Sequence, residues 1–549
     1  MAETLATVGG GPGRQTARAK FGFDNVVDKT MVNRREFIKA GAAGLAAMSL
    51  FSNANGELAF GPLDGEPFPE LVEVTIAELQ AQMKSKKLSS RKLTEMYLER
   101  IKQIDQKTRS VLEVNPDALA IADQLDKERK KGKVRSMLHG IPILIKDNID
   151  TADKMMTTAG SLALVGAPTP KRDAFVVERL RRAGAVILGK TNLSEWANFR
   201  GNRSISGWSG RGLQTNNPYF LDQNPCGSSS GSGVSVSANL AAAAVGTETN
   251  GSIICPANTN GIVGIKPTLG LISRSGIIPI AHTQDTAGPM ARTVADAAIL
   301  LGAMTGRDKQ DAITADADTH TEKDYTKLLD AAGLKGARLG VAMQFTTRPE
   351  LKAFFQPFID KIRDAGATLV DVTFTPDYSK VSDDRLNVLL YEFKADLNKY
   401  LAARGAKYRS LEDLIRFNDE NKDAELKLFG QELFTQAQAK GDLNHKAYLD
   451  SLARVKRAAR EDGIDAVIAK EKLDAIVAPT GGATWAIAAT AGYPYITVPL
   501  GLRENTAVGM AFFGRAFSEP SLIRYAYAFE RLTRGRVTPQ FLPTYPRKS

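Results

Sequence analysis

Histidine and cysteine are both scarce in this chain, and their scarcity excludes several kinds of chemistry. Four histidines occur in 549 residues (His139, His282, His320 and His445), and none has the spacing of a helical zinc pair. No metal and no cofactor are expected. Two cysteines, Cys226 and Cys255, cannot supply the disulfide framework on which small secreted folds depend. In apolar, glycine-rich surroundings they read as buried free thiols, with a disulfide as the alternative. There is no Lys/Arg block interleaved with aromatics. Of the net charge of +11, residues 1–54 carry +3 and the remainder +8, which describes a solvated surface rather than a nucleic-acid face. There is no internal repeat. The apolar run Ala40–Phe51 has twelve residues. As a helix it would reach about 18 Å, short of the ~30 Å of a hydrocarbon core, so no stable membrane anchor is expected.

That short run has a distinct context. Residues 33–39 read Asn-Arg-Arg-Glu-Phe-Ile-Lys, the weak apolar stretch follows, and Ser52-Asn53-Ala54 offers small residues for cleavage after Ala54. The order resembles a twin-arginine export signal. Residues 1–54 are expected to be a signal peptide handled by the twin-arginine machinery, with 1–30 either an over-long start before Met31 or a polar leader. The resemblance implies a periplasmic or secreted protein.

Residues 55–72 read as a linker, and 73–549 as one large α/β domain, because strand and helix signals alternate throughout. Thr75-Ile76-Ala77-Glu78 is a capping box that predicts a helix start. A second helix is expected from about Ser90, with Leu93, Tyr97, Ile101 and Ile104 on one face. The run ending at Lys146 predicts a buried strand with that lysine at its C-terminal end, where α/β proteins place chemistry. Asp173 is expected to cap a helix ending near Gly184, and Val186-Ile187-Leu188 to form the next strand. Residues 233–245 read as a small-residue helix, Leu473–Ala478 and Tyr495–Val498 as buried strands, and Pro520 onward as a final helix.

The chemistry concentrates in one Gly/Ser/Ala-rich block. It runs Asn-Pro-Cys-Gly-Ser-Ser-Ser-Gly-Ser-Gly (224–233), then alanines, then Gly-Thr-Glu-Thr-Asn-Gly-Ser-Ile-Ile-Cys-Pro (246–256). Gly227–Gly231 also matches a G-x-S-x-G elbow centred on Ser229. That reading fails on context, since Asp222-Gln223-Asn224-Pro225 precedes it rather than a buried strand. Hydroxyls, glycine backbone and one upstream lysine are the parts of acyl transfer without histidine.

These motifs, with Lys146-Asp147-Asn148, Gly261–Thr268 and Gln284–Thr293, resemble the amidase signature family over roughly residues 70–549. The segments 224–232, 246–249 and 390–398 are similar to its bacterial peptide amidase branch. The resemblance implies a mixed β-sheet core covered by helices on both faces. It also implies a Ser–cis-Ser–Lys triad, in which Ser252 is the nucleophile, Ser228, after a cis bond from Gly227, the bridge, and Lys146 the base. Thr249, Asn250, Gly251 and Ser252 fall at the oxyanion loop, where Asn250 departs from the usual Gly or Asp. Asn198 and Trp196 fall where relatives line the pocket. Residues 481–493 replace a longer loop, which implies a more open pocket, and Trp485 reads as a core residue.

The expected activity is hydrolysis of a linear carboxamide, such as a small-molecule amide or a peptide C-terminal amide, to acid and ammonia. The alternatives are an amidotransferase-type subunit working with a partner, and an esterase or aryl-amidase using the same triad.

Overall fold

The computed structural model describes residues 51–52, 58–59, 67–322, 324–346, 348–374 and 378–546. The twin-arginine segment and the cleavage site after Ala54 lie outside these residues, except for Phe51 and Ser52. Of residues 1–59, it describes a short antiparallel pair, Phe51–Ser52 with Leu58–Ala59.

Residues 67 onward are built around one mixed sheet of eleven strands. In chain order these are β1 (Val111–Val114), β2 (Pro142–Lys146), β3 (Val186–Thr191), β4 (Ala243–Glu248), β5 (Val263–Lys266), β6 (Thr286–Ala291), β7 (Arg338–Val341), β8 (Thr368–Asp371), β9 (Ala475–Pro479), β10 (Tyr495–Arg503) and β11 (Thr506–Phe513). Their order across the sheet is β8-β7-β9-β11-β10-β5-β6-β4-β2-β3-β1. Strands β2, β3, β4, β6 and β9 are buried at every residue. Side chains alternate across a sheet, so burial at every position means that both faces are covered.

Local signals explain several elements. Helix α1 (Ile76–Lys84) starts at the Thr75 capping box, and α2 (Ser90–Thr108) buries Leu93, Tyr97, Ile101 and Ile104. Helix α3 (Phe175–Ala183) stops at Gly184, which takes the left-handed conformation at φ 88°. Its cap position is Ala174 rather than Asp173. The Asp173 carboxylate instead accepts from Ala152 N–H at 2.7 Å and from Arg181 at 2.9 Å. Residues 67–72 pack on the domain through buried Leu71, and Arg100 Nη1 donates to the Pro67 carbonyl at 2.5 Å.

The expected small-residue helix over 233–245 is corrected. Helix α4 spans Ser230–Ser237, and Ala243–Glu248 is strand β4. The alanines favour helix locally, but β4 pairs in parallel with β2 on one side and antiparallel with β6 on the other. Two ladders of backbone hydrogen bonds override side-chain propensity in a run too short to show a period.

A buried ionic cluster supports the segment that follows β3. Arg200 Nη1 contacts Glu195 and lies 3.3 Å from Glu425, and the guanidinium sits over the Phe429 ring at 4.0 Å. All three charged side chains are fully buried. Burial, then repulsion from Glu425, pushes the Glu195 carboxyl well above its usual range, against the pull of Arg200. Arg200→Met leaves Glu195 and Glu425 in the core without their cation, so a loss of about 3–5 kcal/mol is expected in urea melts.

Candidate active site

Strands β2 and β4 are parallel neighbours, with Ile145 opposite Val245. Their C-terminal ends therefore emerge together, which brings Lys146 beside Thr247. Lys146 is fully buried and does not reach solvent along its stem. Its Nζ lies 2.8 Å from Ser228 Oγ, 2.8 Å from Thr247 Oγ1 and 3.2 Å from the Thr247 carbonyl. Among the described residues, no carboxylate touches it. Burial holds the amine down to about 7 from its ordinary 10.5, against the pull of the Asp285 and Glu248 charges.

The contacts match a neutral amine. Such a group has two N–H bonds and one lone pair. With the Thr247 carbonyl and hydroxyl accepting its two N–H bonds, the lone pair of a neutral amine is left for the Ser228 hydroxyl. Asn148 Nδ2 also donates to Thr247 Oγ1, at 3.0 Å.

Ser228 sits in the glycine turn before α4, and the Gly227–Ser228 peptide bond is cis. The turn's first residue, Cys226, has φ 57°, a left-handed conformation that a β-carbon disfavours. Gly227 allows close packing. A β-carbon there would stand 2.2 Å from Ser194 Oγ. Ser229 is tied to the backbone, its hydroxyl donating to Thr247 O at 3.0 Å and accepting from Thr247 N–H at 3.1 Å. His282, the histidine nearest the turn in sequence, contacts Asp396 at 2.8 Å. Neither observation supports a Ser/His/Asp elbow.

Ser252 belongs to the turn leading into α5 (Ile254–Thr259). Its carbonyl accepts from Ser229 N–H at 3.0 Å, which docks the two serine segments. Glu248 anchors the same turn, its Oε2 accepting from Ile253 N–H at 2.7 Å and Ile254 N–H at 3.0 Å. Thr249 Oγ1 donates to Asp285 Oδ1 at 2.5 Å, while Asp285 Oδ2 takes the N–H groups of Ile280 and Ala281. Burial pushes the Asp285 carboxyl up to about 6 despite these bonds. Among the described residues, the N–H groups of Asn250, Gly251 and Ser252 have no acceptor. Gly251 is required by its φ of 84° and by Trp485, whose indole nitrogen would stand 2.5 Å from an added β-carbon.

The free-thiol expectation is overturned. Cys226 and Cys255 form a disulfide, with Cα atoms 5.9 Å apart. The docking of the two serine segments brings the cysteines within bridging range, which their separation of 29 residues conceals.

Residues 481–493 are not an open loop. Helix α6 (Gly482–Ala491) occupies them, and half-buried Trp485 lies on Gly251 while also touching the core. Thr249 borders one of two cavities and Asn250 the other. One, of about 270 Å³, is bordered by Asn148, Thr247, Thr249 and Asp285. The other, of about 540 Å³, is bordered by Asn250, Trp485, Phe345, Phe374 and Tyr378. Trp196 is a core residue, edge-on to Phe434 at 5.8 Å. Asn198 donates to Ser206 Oγ at 3.1 Å, and Ala197 rather than Asn198 borders the smaller cavity.

Among the described residues, His282, Glu392 and Asp396 form the one cluster whose ligating atoms lie within 4.8 Å of one another. Tyr448 and Thr283 already occupy the Glu392 oxygens, and His282 occupies Asp396, so the set reads as a hydrogen-bonded network. Sequence reasoning does not single out Thr247, Glu248 or Asp285. All three fall inside the quoted motifs, but only the strand register shows what they hold.

A family model described as Amidase matches residues 92–486. The solved structure of native peptide amidase from Stenotrophomonas maltophilia is 50% identical, with a TM-score of 0.83, over 85% of this chain and 99% of that one. A probable amidase of Arabidopsis thaliana is 44% identical over 480 residues, 86% of this chain and 92% of that protein. A glutamyl-tRNA(Gln) amidotransferase subunit of Thermoanaerobacter pseudethanolicus is 32% identical over 502 residues, 86% of this chain and 99% of that protein.

Proposed function

This chain belongs to the amidase signature family and is an amidase hydrolase, and from that premise we propose that it cleaves C-terminal amides of peptides through a seryl acyl-enzyme. The observation that carries the catalytic reading is the buried Lys146 amine, 2.8 Å from Ser228 Oγ and, among the described residues, without a carboxylate partner.

In this reading neutral Lys146 takes the Ser228 proton as Ser228 takes the proton of Ser252. The Ser252 oxygen attacks the amide carbon. The negative charge on the carbonyl oxygen is met by the unpartnered N–H groups of Asn250, Gly251 and Ser252. The relay then returns its proton to the amide nitrogen, the C–N bond breaks, and ammonia leaves. Water, activated by the same relay, splits the ester to acid and free serine.

Two observations support a peptide-sized acyl group. The likeness to a peptide amidase is one. The other is the cavity of about 540 Å³ beside Asn250, within the range of pockets that enclose small organic ligands and far larger than ammonia needs. The Cys226–Cys255 disulfide, together with the twin-arginine pattern, supports an exported enzyme. Fractionation of the producing cell tests that placement.

The test of the activity is ammonia release by the purified protein from peptide amides, a fatty amide, an aryl amide and glutamine. Release from peptide amides at least tenfold above the others is the expected outcome. Preference for another amide keeps the amidase and discards the peptide assignment. Preference for glutamine moves the reading toward the amidotransferase subunits, which the chain also resembles.

A further inference from the structure

We propose that the Cys226–Cys255 disulfide is a positioning device for the serine relay, and that its reduction lowers turnover without unfolding the enzyme. The inference rests on the assignment of Ser228 and Ser252 to the relay made above.

The bridge is placed at both ends of the chemistry. Cys226 lies two residues before Ser228, and Cys255 three residues after Ser252, in the first turn of α5. Cys255 N–H donates to the Gly251 carbonyl at 2.7 Å, so one half-cystine is hydrogen-bonded to the oxyanion loop. The other is the left-handed residue that sets the direction of Gly227 and Ser228. One covalent link therefore joins the segment that aims the bridging hydroxyl to the segment that carries the nucleophile.

Besides the bridge, the Cys226 backbone is held by short-range hydrogen bonds to its own turn. Its N–H donates to exposed Asn224 Oδ1 at 2.8 Å, and its carbonyl accepts from Ser230 Oγ at 2.6 Å. Opening the bridge frees a non-glycine residue from a disfavoured backbone region. The relaxation passes through the next peptide bond to Ser228 Oγ, whose distance to Lys146 Nζ decides proton transfer. Reacting groups displaced by about 1 Å cost on the order of a hundredfold in rate.

The fold does not depend on the link. Ser229 N–H still reaches the Ser252 carbonyl, and Asn260 Nδ2 still donates to the Pro225 carbonyl at 2.9 Å. Both half-cystines are partly exposed, so a small dithiol can reach them. Reduction breaks the S–S bond and transfers two electrons and two protons from the dithiol, giving two thiols and a cyclic disulfide of the reductant.

The experiment compares oxidised protein, dithiol-reduced protein and the double variant Cys226→Ser/Cys255→Ser. It measures kcat and KM on a peptide amide and the rate at which a fluorophosphonate labels Ser252. Circular dichroism and the melting transition report the fold. The expected result is at least a tenfold fall in kcat and in labelling rate for the reduced and double-variant proteins. KM should change by less than twofold and the circular dichroism should not change. Reoxidation should restore the reduced wild type only. Unchanged kcat and labelling with two titratable thiols overturn the inference. So does a loss that tracks loss of circular dichroism, or two free thiols in the oxidised protein. Failure of the oxidised wild type to hydrolyse any amide is a separate result that counts against the proposed function, because labelling still reads the serine without a substrate.

Discussion

Ser252→Ala gives a folded protein whose kcat on its amide substrate is lower by about 10⁴-fold or more. The size follows from the role. In the proposed mechanism this oxygen forms the acyl-enzyme, and without it only binding and the proposed oxyanion donors remain, which leave a small residual rate over water. The fold should be insensitive. Ser252 holds its neighbours through its carbonyl, which accepts from Ser229 N–H, and the turn is anchored independently by Glu248. Both features survive the loss of one hydroxyl. Fluorophosphonate labelling separates the two serines. Wild type should carry the label on Ser252, Ser252→Ala should carry none, and Ser228→Ala should be labelled slowly but at Ser252. A label on Ser228 or Ser229 in the wild type refutes the assignment of the nucleophile.

The second large effect belongs to Lys146. The proposed relay starts from the neutral amine, and burial places that amine at about 7. kcat/KM should therefore rise with pH through about 7, fall tenfold per unit below pH 6, and level off above pH 8. Lys146→Met should remove the activity by about 10³-fold or more. Lys146→Arg should be no better, since a guanidinium does not give up its proton in this range.

Stability provides a second readout of opposite character. The native amine releases its proton near pH 7, whereas the unfolded chain holds it to about 10.5. Between those values the unfolded state binds more protons, so this group makes stability rise with pH by about 1.4 kcal/mol per unit. Below pH 7 the full cost of burying the charge is present and constant. Lys266, also fully buried and held down to about 8, adds a slope of the same sign. The informative quantity is the difference between wild type and Lys146→Met in urea melts from pH 6 to pH 10. A pH-independent difference removes the buried neutral lysine from the mechanism.

Local chemistry that needs no distant partner is legible in the sequence alone. The capping box at Thr75 sets the start of α1. The apolar face of α2 and the left-handed glycine that ends α3 are equally local, since each depends on residues within a few positions. Leu473–Ala478 and Tyr495–Val498 read as strands because a short, mostly apolar run rich in branched residues is buried on both faces. The alanine run at 241–244 misleads for the complementary reason. It has no period and a strong local preference, and only pairing with β2 and β6 makes it a strand.

At the site the division is the same. Residue types and their order pointed to acyl transfer without histidine, and the family resemblance they carry placed Lys146, Ser228 and Ser252 as the expected triad. The tertiary structure decided how far each reaches. Parallel register between β2 and β4 puts Thr247, to which the sequence assigned no role, against the Lys146 amine. Docking of the serine turn on the Ser252 segment turned two expected thiols into a disulfide. Helix α6 brought Trp485 onto Gly251 from more than 200 residues away. Hydroxyls, amines and glycines are properties of single residues and can be read in a line. Register, desolvation and bridging are properties of pairs whose members meet only after the chain has folded.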